Sequence, residues 1–456
     1  MSNQRLVEIQ GASWREIGNV LAQKVSEKSS FAYRFDREIY CDEADILELW
    51  KNNLASHSKN SMRLLTPNAF ELCDAFDSVF SSRAEDFSVW ELLTLYEVDM
   101  FLHEFHYKCR YCTHRIMKAP RYSCSGNRTH ETKRSRKLIP EPSSVCSNCI
   151  CDHPNCELCG IKLEPTATLH ETSGLGIANK SGCTGFGYRD DETSFCGQTL
   201  EMATDTYNYG RFDTIYKLCN TQTGISVLVY DVGCILSPFG INSNRLALCV
   251  FNLYNSDYAL PPYSEHRVPM AAIQWEILLK GTSHVTDAFS LLADPGLKTF
   301  TSASFIVAAE RETSVIEVSA NQHWIPGGAA DEDDSQDDLA PVVARGSGSI
   351  SGSRWVIRAN NCLAGSSLTE LESLPPNISS RDRQKDLENF FSRSENIRKN
   401  PGWAKTALST PTIQTEYCLG TIIMEPESLK MHVRFRKGTR ISSTLANGGK
   451  WEVFEI

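Results

Sequence analysis

With 456 residues and an apolar fraction of 41%, the chain has ample material for a sizeable core, as one large domain with insertions or two to three smaller ones. Its formal net charge of -10 argues against a general nucleic-acid binder, whose phosphate contacts need concentrated Lys and Arg. Seventeen cysteines, an odd number, without an N-terminal apolar run of the signal-peptide kind, argue against an extracellular disulfide scaffold. No segment approaches a membrane span in length, and the final Phe454-Glu455-Ile456 is not a peroxisomal address. The reading is an intracellular, cytoplasmic protein.

Leu6 to Gln10 reads as a short strand that stops at Gly11. Ser13, with Glu16 three residues on, has the pattern of a helix cap, and Trp14, Ile17, Val20, Leu21 and Val25 follow at helical spacing. Residues 30–104 read as mainly helical, with a start at Asp86 or Ser88 leading into Val89, Leu92, Leu93, Tyr96 and Met100. From 105 to 182 this pattern stops. Cysteines, basic residues, prolines and Ser/Thr replace it, and the stretch reads as an insertion or linker with little core of its own.

Beyond Cys183 the character is β-rich. Strands are expected at Phe212 to Leu218, Ile225 to Tyr230 and Leu246 to Leu253, the last preceded by a turn at Gly240-Ile241-Asn242-Ser243. Helices follow from Pro269 to Leu279 and from Val285 to Leu292, then a hairpin of Ser304 to Ala309 with Val315 to Val318. Residues 326–353 are rich in Gly, Asp and Ser without periodicity and read as a disordered acidic surface loop. A strand at Trp355 to Arg358 leads into Asn360-Asn361-Cys362, a charged helix covers Arg381 to Arg393, and three strands from Leu419, Met431 and Trp451 close the chain. Periodicity supports an α+β class with substantial sheet.

Set between the linker and the strands is Ser181-Gly182-Cys183-Thr184-Gly185-Phe186. A thiol at 183 is placed to attack the carbonyl of the preceding glycine and split the chain. The new α-amine of Cys183 would then be a built-in base that keeps the thiol nucleophilic.

The pieces around this dipeptide carry a resemblance. Gln10-Gly11 before Trp14-Arg15-Glu16-Ile17-Gly18, Ala84 to Ser88, Gly182-Cys183-Thr184, Gly197-Gln198, Gly240 to Ser243, Arg358 to Leu363 and Ser380 to Glu388 stand in an order similar to the acyl-coenzyme A:6-aminopenicillanic acid acyltransferase (isopenicillin N acyltransferase) family. Its members are N-terminal-nucleophile hydrolases. The resemblance implies a four-layer αββα sandwich made as one precursor: residues 1–104 would be its mostly helical first part, and 183–456 its β-rich catalytic part. It also implies self-cleavage into two fragments that stay associated. The activity implied is hydrolysis or transfer of an acyl group from an amide or thioester, with a small-molecule or peptide-like acyl substrate, acyl-coenzyme A among the options, and no cofactor for the chemistry.

By the same carry-over Cys183 is the nucleophile and Asn360 a side-chain donor to the oxyanion. Where the family has Gly-Gln-Asn-Trp-Asp, this chain has Gly197-Gln198-Thr199-Leu200-Glu201. Glu201 keeps the carboxylate and is a candidate to orient the new ammonium. The family's second asparagine falls on Phe251, with Asn252 one place later; a one-residue shift in a strand turns the side chain to the opposite face, so Asn252 is a candidate substrate-binding residue only where a bulge intervenes. Arg358 and Arg383 are candidates for an anionic group of the substrate.

Eight of the cysteines crowd between Cys109 and Cys159. The pairs Cys146-x-x-Cys149 and Cys156-x-x-Cys159 have the spacing of a tetrahedral structural zinc site, which would let a coreless segment fold. A solvated, protease-sensitive basic loop fits the same residues. The alternative function is then an unprocessed, catalytically impaired relative of the family that serves as a zinc-dependent interaction scaffold.

Overall fold

A computed structural model describes residues 5–25, 29, 53–82, 87–94, 97, 182–190, 192–201, 213–231, 236, 238–253, 259, 263, 265–292, 294, 296–310, 312–321, 343–345, 355–362, 380–393, 399–414, 418–435 and 449–456. The candidate zinc ligands Cys146, Cys149, Cys156 and Cys159 lie outside the described residues, as does most of the acidic segment 326–353.

The first strand, β1 (Leu6–Gly11), joins the edge of a large sheet parallel to β4 (Thr214–Asn220), pairing Leu6 with Ile215 and Gln10 with Cys219. The chain then turns into helix α1 (residues 14–25). Ser13 Oγ accepts the Glu16 N–H at 3.2 Å and Glu16 Oε2 accepts the Ala12 N–H at 2.7 Å, so two otherwise orphaned donors are satisfied. Its buried face is Trp14, Ile17, Leu21 and Val25, the stripe expected from spacing. At Gly18 a Cβ would collide with the Leu72 carbonyl, so only glycine lets α1 approach the neighbouring helix this closely.

Helices α2 (Ser56–Leu65), α3 (Pro67–Ser82) and α4 (Val89–Leu93) follow. Ser88 caps α4 through a reciprocal pair with Glu91, as the sequence pattern implies. Asp77 of α3 accepts the Val89 N–H at 3.0 Å and the Trp90 indole N–H at 2.8 Å, which docks α4 on α3.

Strands β1, β4, β5 (Ser226–Asp231), β6 (Pro238–Asn242), β7 (Ala247–Asn252), β10 (Ala303–Ala309), β11 (Glu312–Val318) and β12 (Val343–Arg345) form the eight-stranded sheet in that spatial order. The six-stranded sheet runs β13 (Trp355–Arg358), β2 (Thr184–Arg189), β3 (Ser194–Glu201), β14 (Cys418–Glu425), β15 (Lys430–Phe435), β16 (Trp451–Glu455). Short strands β8 (Arg267–Val268) and β9 (Lys298–Thr299) pair separately.

The two large sheets pack face to face, β2, β3 and β13 against β7, β10 and β11. Every residue of β3 and β10 is buried, so each of these strands is covered on both faces. Helices α5 (Met270–Leu279) and α6 (Val285–Leu292) lie on the outer face of the large sheet, and α7 (Ser380–Arg393) and α8 (Pro401–Ala407) on that of the small one. The architecture is therefore the four-layer αββα sandwich.

All ten residues of α5 are buried, because α3 packs on the side away from the sheet. Burying Ile273, Ile277 and Leu278 contributes about 1.5–3 kcal/mol each. Glu276, also buried in α5, accepts the N–H groups of Asn68 (2.9 Å) and Ala69 (3.0 Å) and so caps α3 from another element. Burial pushes its carboxyl up, against those hydrogen bonds. The N-terminal helices thus share one core with the strands after Cys183.

Three local expectations change. The turn expected over 240–243 is displaced: Pro238–Asn242 is strand β6, and the chain reverses at Ser243–Arg245. The Asn242 side chain accepts the N–H groups of Asn244 (3.0 Å) and Leu246 (3.2 Å), and Arg245 takes a left-handed φ of 65°. Within the stretch read as a loop, Val343–Arg345 pairs with β11. Helix α8, absent from the periodicity reading, is set by Asn400, whose side chain accepts the Trp403 N–H at 3.0 Å, and by Pro401 in its first turn. Among the described residues no helix is long and apolar enough to cross a membrane.

Candidate active site

Gly182 and Cys183 stand immediately before β2, between β13 and β3 in the small sheet. Gly182 is buried and Cys183 half-buried. Cys183 packs against the principal core, and its thiol lies 3.8 Å from the Glu201 carbonyl oxygen. The Gly182 N–H donates to Glu201 Oε2 at 3.0 Å. Glu201, at the end of β3, is itself buried, so this carboxylate faces the peptide before the thiol rather than solvent.

The other side of the peptide is held by Arg383, in the first turn of α7 and 1% exposed. Its Nη1 donates to the Gly182 carbonyl, to the Cys183 carbonyl at 3.0 Å and to Thr184 Oγ1, and Nη2 donates to Asn360 Oδ1 at 3.3 Å. The carbonyl that a Cys183 thiol would attack is thus already polarised by a guanidinium.

Ser380 explains why Arg383 arrives there. Its hydroxyl accepts the Asn360 N–H and donates to Asn361 Oδ1, both at 2.8 Å, fixing the start of α7 to the end of β13. Asn361 Nδ2 donates to Gln384 Oε1 at 2.8 Å, a second tie between the same elements. Arg383, one turn from Ser380, then points back at the peptide.

Asn360, 2% exposed, donates from Nδ2 to the Asn252 carbonyl at 2.9 Å. With Arg383 requiring an acceptor and Asn252 offering one, the orientation of its amide is fixed. Asn252 enters the site through its main chain. The pairing of β7 with β10 runs in unbroken register, Phe251 with Ser304 and Asn252 with Ala303, so no bulge returns the Asn252 side chain to the face of Phe251. Phe251 instead fills the space over Gly185, where a Cβ would lie 2.8 Å from its ring.

Arg358 is fully buried between the sheets. Its Nε donates to Ser304 Oγ at 3.1 Å, and Nη2 to Glu317 and to the Asn361 carbonyl. The pair with Glu317, 1% exposed on the facing sheet, clamps the strand that carries Asn360. This placement answers to no exposed anionic group.

Gln198 makes a second inter-sheet clamp, donating to the Val250 carbonyl at 3.0 Å and accepting the Val250 N–H at 2.9 Å. Thr199, where the family has an asparagine, bridges to β2 by accepting the Thr184 N–H at 3.1 Å and donating to the Thr184 carbonyl at 3.2 Å. Gln198 and Glu201 were legible from their motif. Ser380 stood in the Ser380 to Glu388 piece of the resemblance but with no role assigned, and Glu317 carried no local signal, because both roles exist only once distant elements pack.

Burial pushes the Cys183 thiol up to about 11, with the Glu201 backbone hydrogen bond opposing, the Glu201 carboxylate adding to the rise, and Arg383 and Gln198 opposing it. A thiol so raised is protonated at neutral pH. Among the described residues no group of three or more His, Cys, Asp or Glu side chains converges to hold a metal ion.

No family model matches this chain, and no curated protein matches it. Solved structures with a similar arrangement include a Caenorhabditis elegans ortholog of N-acylethanolamine-hydrolyzing acid amidase, at 12% identity and a TM-score of 0.37 over 60% of this chain and 100% of that one. Penicillin V acylase from Agrobacterium tumefaciens gives 10% identity and a TM-score of 0.34, over 56% of this chain and 83% of that one. A variant of conjugated bile acid hydrolase from Clostridium perfringens gives 11% and 0.32, over 60% of this chain and 97% of that one. Likeness of this order leaves the chemistry of the present chain to its own residues.

Proposed function

We propose that the chain is a self-processing cysteine N-terminal-nucleophile enzyme that hydrolyses an amide, or transfers an acyl group from an amide or thioester. The observation that carries this reading is the setting of the Gly182–Cys183 peptide. Its carbonyl accepts from a buried guanidinium, and the N–H on its glycine side donates to a buried carboxylate.

In the self-cleavage step the Cys183 thiol gives its proton to water, the thiolate Sγ adds to the Gly182 carbonyl carbon, and the peptide nitrogen takes a proton from water. The C–N bond breaks, leaving a thioester between Gly182 and Sγ and a free amine on Cys183. Water then adds to the thioester carbon, the C–S bond breaks, and sulfur regains a proton. Arg383 stabilises the negative charge on oxygen in both additions. In turnover the new amine takes the thiol proton, relieving the high proton affinity of the uncleaved site. Asn360, whose Oδ1 accepts from Arg383 and whose Nδ2 donates to the Asn252 carbonyl, holds that guanidinium on the reacting carbonyl, and the resemblance supports its role as an oxyanion donor. Glu201 orients the new ammonium.

The test uses 2-cyanobenzothiazole, which condenses with an N-terminal cysteine and not with an internal one. Purified protein, unfolded after isolation, is expected to carry the label on a fragment that begins Cys183-Thr184-Gly185-Phe186. Folded protein that yields no such labelled fragment overturns the reading.

A further inference from the structure

The intermediate of self-cleavage and the acyl-enzyme of turnover have the same connectivity: an acyl group esterified to Cys183 Sγ beside a free α-amine. The acyl group that this site is built around is therefore the one in the structure, a glycyl unit whose nitrogen carries a further acyl chain. We infer that the site takes N-acylglycyl donors, compounds of the form R–CO–NH–CH2–CO–X, in which X is the amine or thiol released. This rests on the proposed nucleophilic role of Cys183 and goes further by naming the acyl class.

Three features of the Gly182 cradle select that class. The glycine N–H donates to the buried Glu201 Oε2 at 3.0 Å, a hydrogen bond to a carboxylate that an acyl chain with a methylene there cannot make. The glycine carbonyl accepts from Arg383, which fixes where the reacting carbon sits. A Cβ on the glycine would run into Asn360 Oδ1 and lie 2.5 Å from Arg383 Nη2. Both obstructing groups are almost wholly buried and tied to Asn252, Ser380 and Cys183, so neither withdraws without breaking the oxyanion arrangement. A short, linear unit with an amide N–H two bonds from the reacting carbonyl carbon fits. A branched acyl group does not.

Turnover balances as in processing. The donor carbonyl is attacked by Sγ, X leaves with a proton, and water releases R–CO–NH–CH2–CO2H and regenerates the thiol.

The experiment measures p-nitroaniline release by the processed protein from three anilides: N-acetylglycyl, N-acetyl-L-alanyl and 4-oxopentanoyl, the last replacing the glycine N–H by CH2. The expected kcat/KM for the glycyl anilide exceeds each of the others by at least about tenfold, because a site built around a buried hydrogen bond discriminates strongly against its absence. Comparable rates for all three, or cleavage only of a simple fatty acyl anilide by processed protein, overturn the glycyl assignment while the amidase reading stands. Protein that never exposes Cys183 as an N-terminus removes that reading, and this assignment with it.

Discussion

Two buried arginines, 25 residues apart in sequence and both at the Asn360 end of the small sheet, do opposite work. Arg358 faces inward, between the sheets, and spends its charge on Glu317, a full counter-ion. Arg383 approaches from the helical layer and spends its donors on the carbonyls of Gly182 and Cys183. A cation paired with a carboxylate is neutralised and has little field left for chemistry. A cation aimed at a peptide carbonyl stabilises charge that appears only when the bond is attacked. The contrast separates what holds the site from what would drive it, and each half can be broken on its own.

The largest expected effect is on stability. Arg358→Met leaves Glu317 buried without its counter-charge and is expected to cost about 3–5 kcal/mol in denaturant unfolding. Adding Glu317→Leu should recover much of that loss, since two apolar groups no longer carry an uncompensated charge. Arg383→Lys preserves the charge but not the planar fork. It is expected to slow self-cleavage by about a hundredfold, followed by loss of full-length mass, while shifting unfolding much less than Arg358→Met. Gly182→Ala, which sets a methyl against Asn360, is expected to slow cleavage by about tenfold or more.

The smallest effect is the most diagnostic. The Glu201 carboxylate helps to raise the Cys183 thiol, so Glu201→Gln should lower it. Self-cleavage that depends on thiolate rises with pH towards the thiol's value of about 11, and in Glu201→Gln the same rise should begin at lower pH. An unshifted profile would show that the carboxylate does not act on the thiol.

Much of this arrangement was readable from residues, and what was not has a common cause. The caps at Ser13 and Ser88, the strand alternation after Cys183, and the thiol following a small residue are local patterns, and local physics sets them. Arg383 and Arg358 looked alike, both near a charged helix or strand end. Only packing distinguishes them, because one meets Glu317 across the sheets and the other meets the peptide before β2. The shift from Phe251 to Asn252 looked like a lost ligand, yet the Asn252 main-chain carbonyl, which any residue supplies, is what Asn360 uses. The turn expected over 240–243 falls at Ser243–Arg245 instead, because Gly240, which resembles a turn glycine, lies within β6, where a Cβ would lie 2.7 Å from the Leu228 carbonyl oxygen.

The most direct test follows the intact mass of freshly purified wild-type and Cys183→Ala proteins over time, with both confirmed as folded. The account predicts that the wild type separates into two species divided between Gly182 and Cys183 while Cys183→Ala remains one chain. A wild type that stays whole, or an alanine variant cut at the same bond, would contradict it.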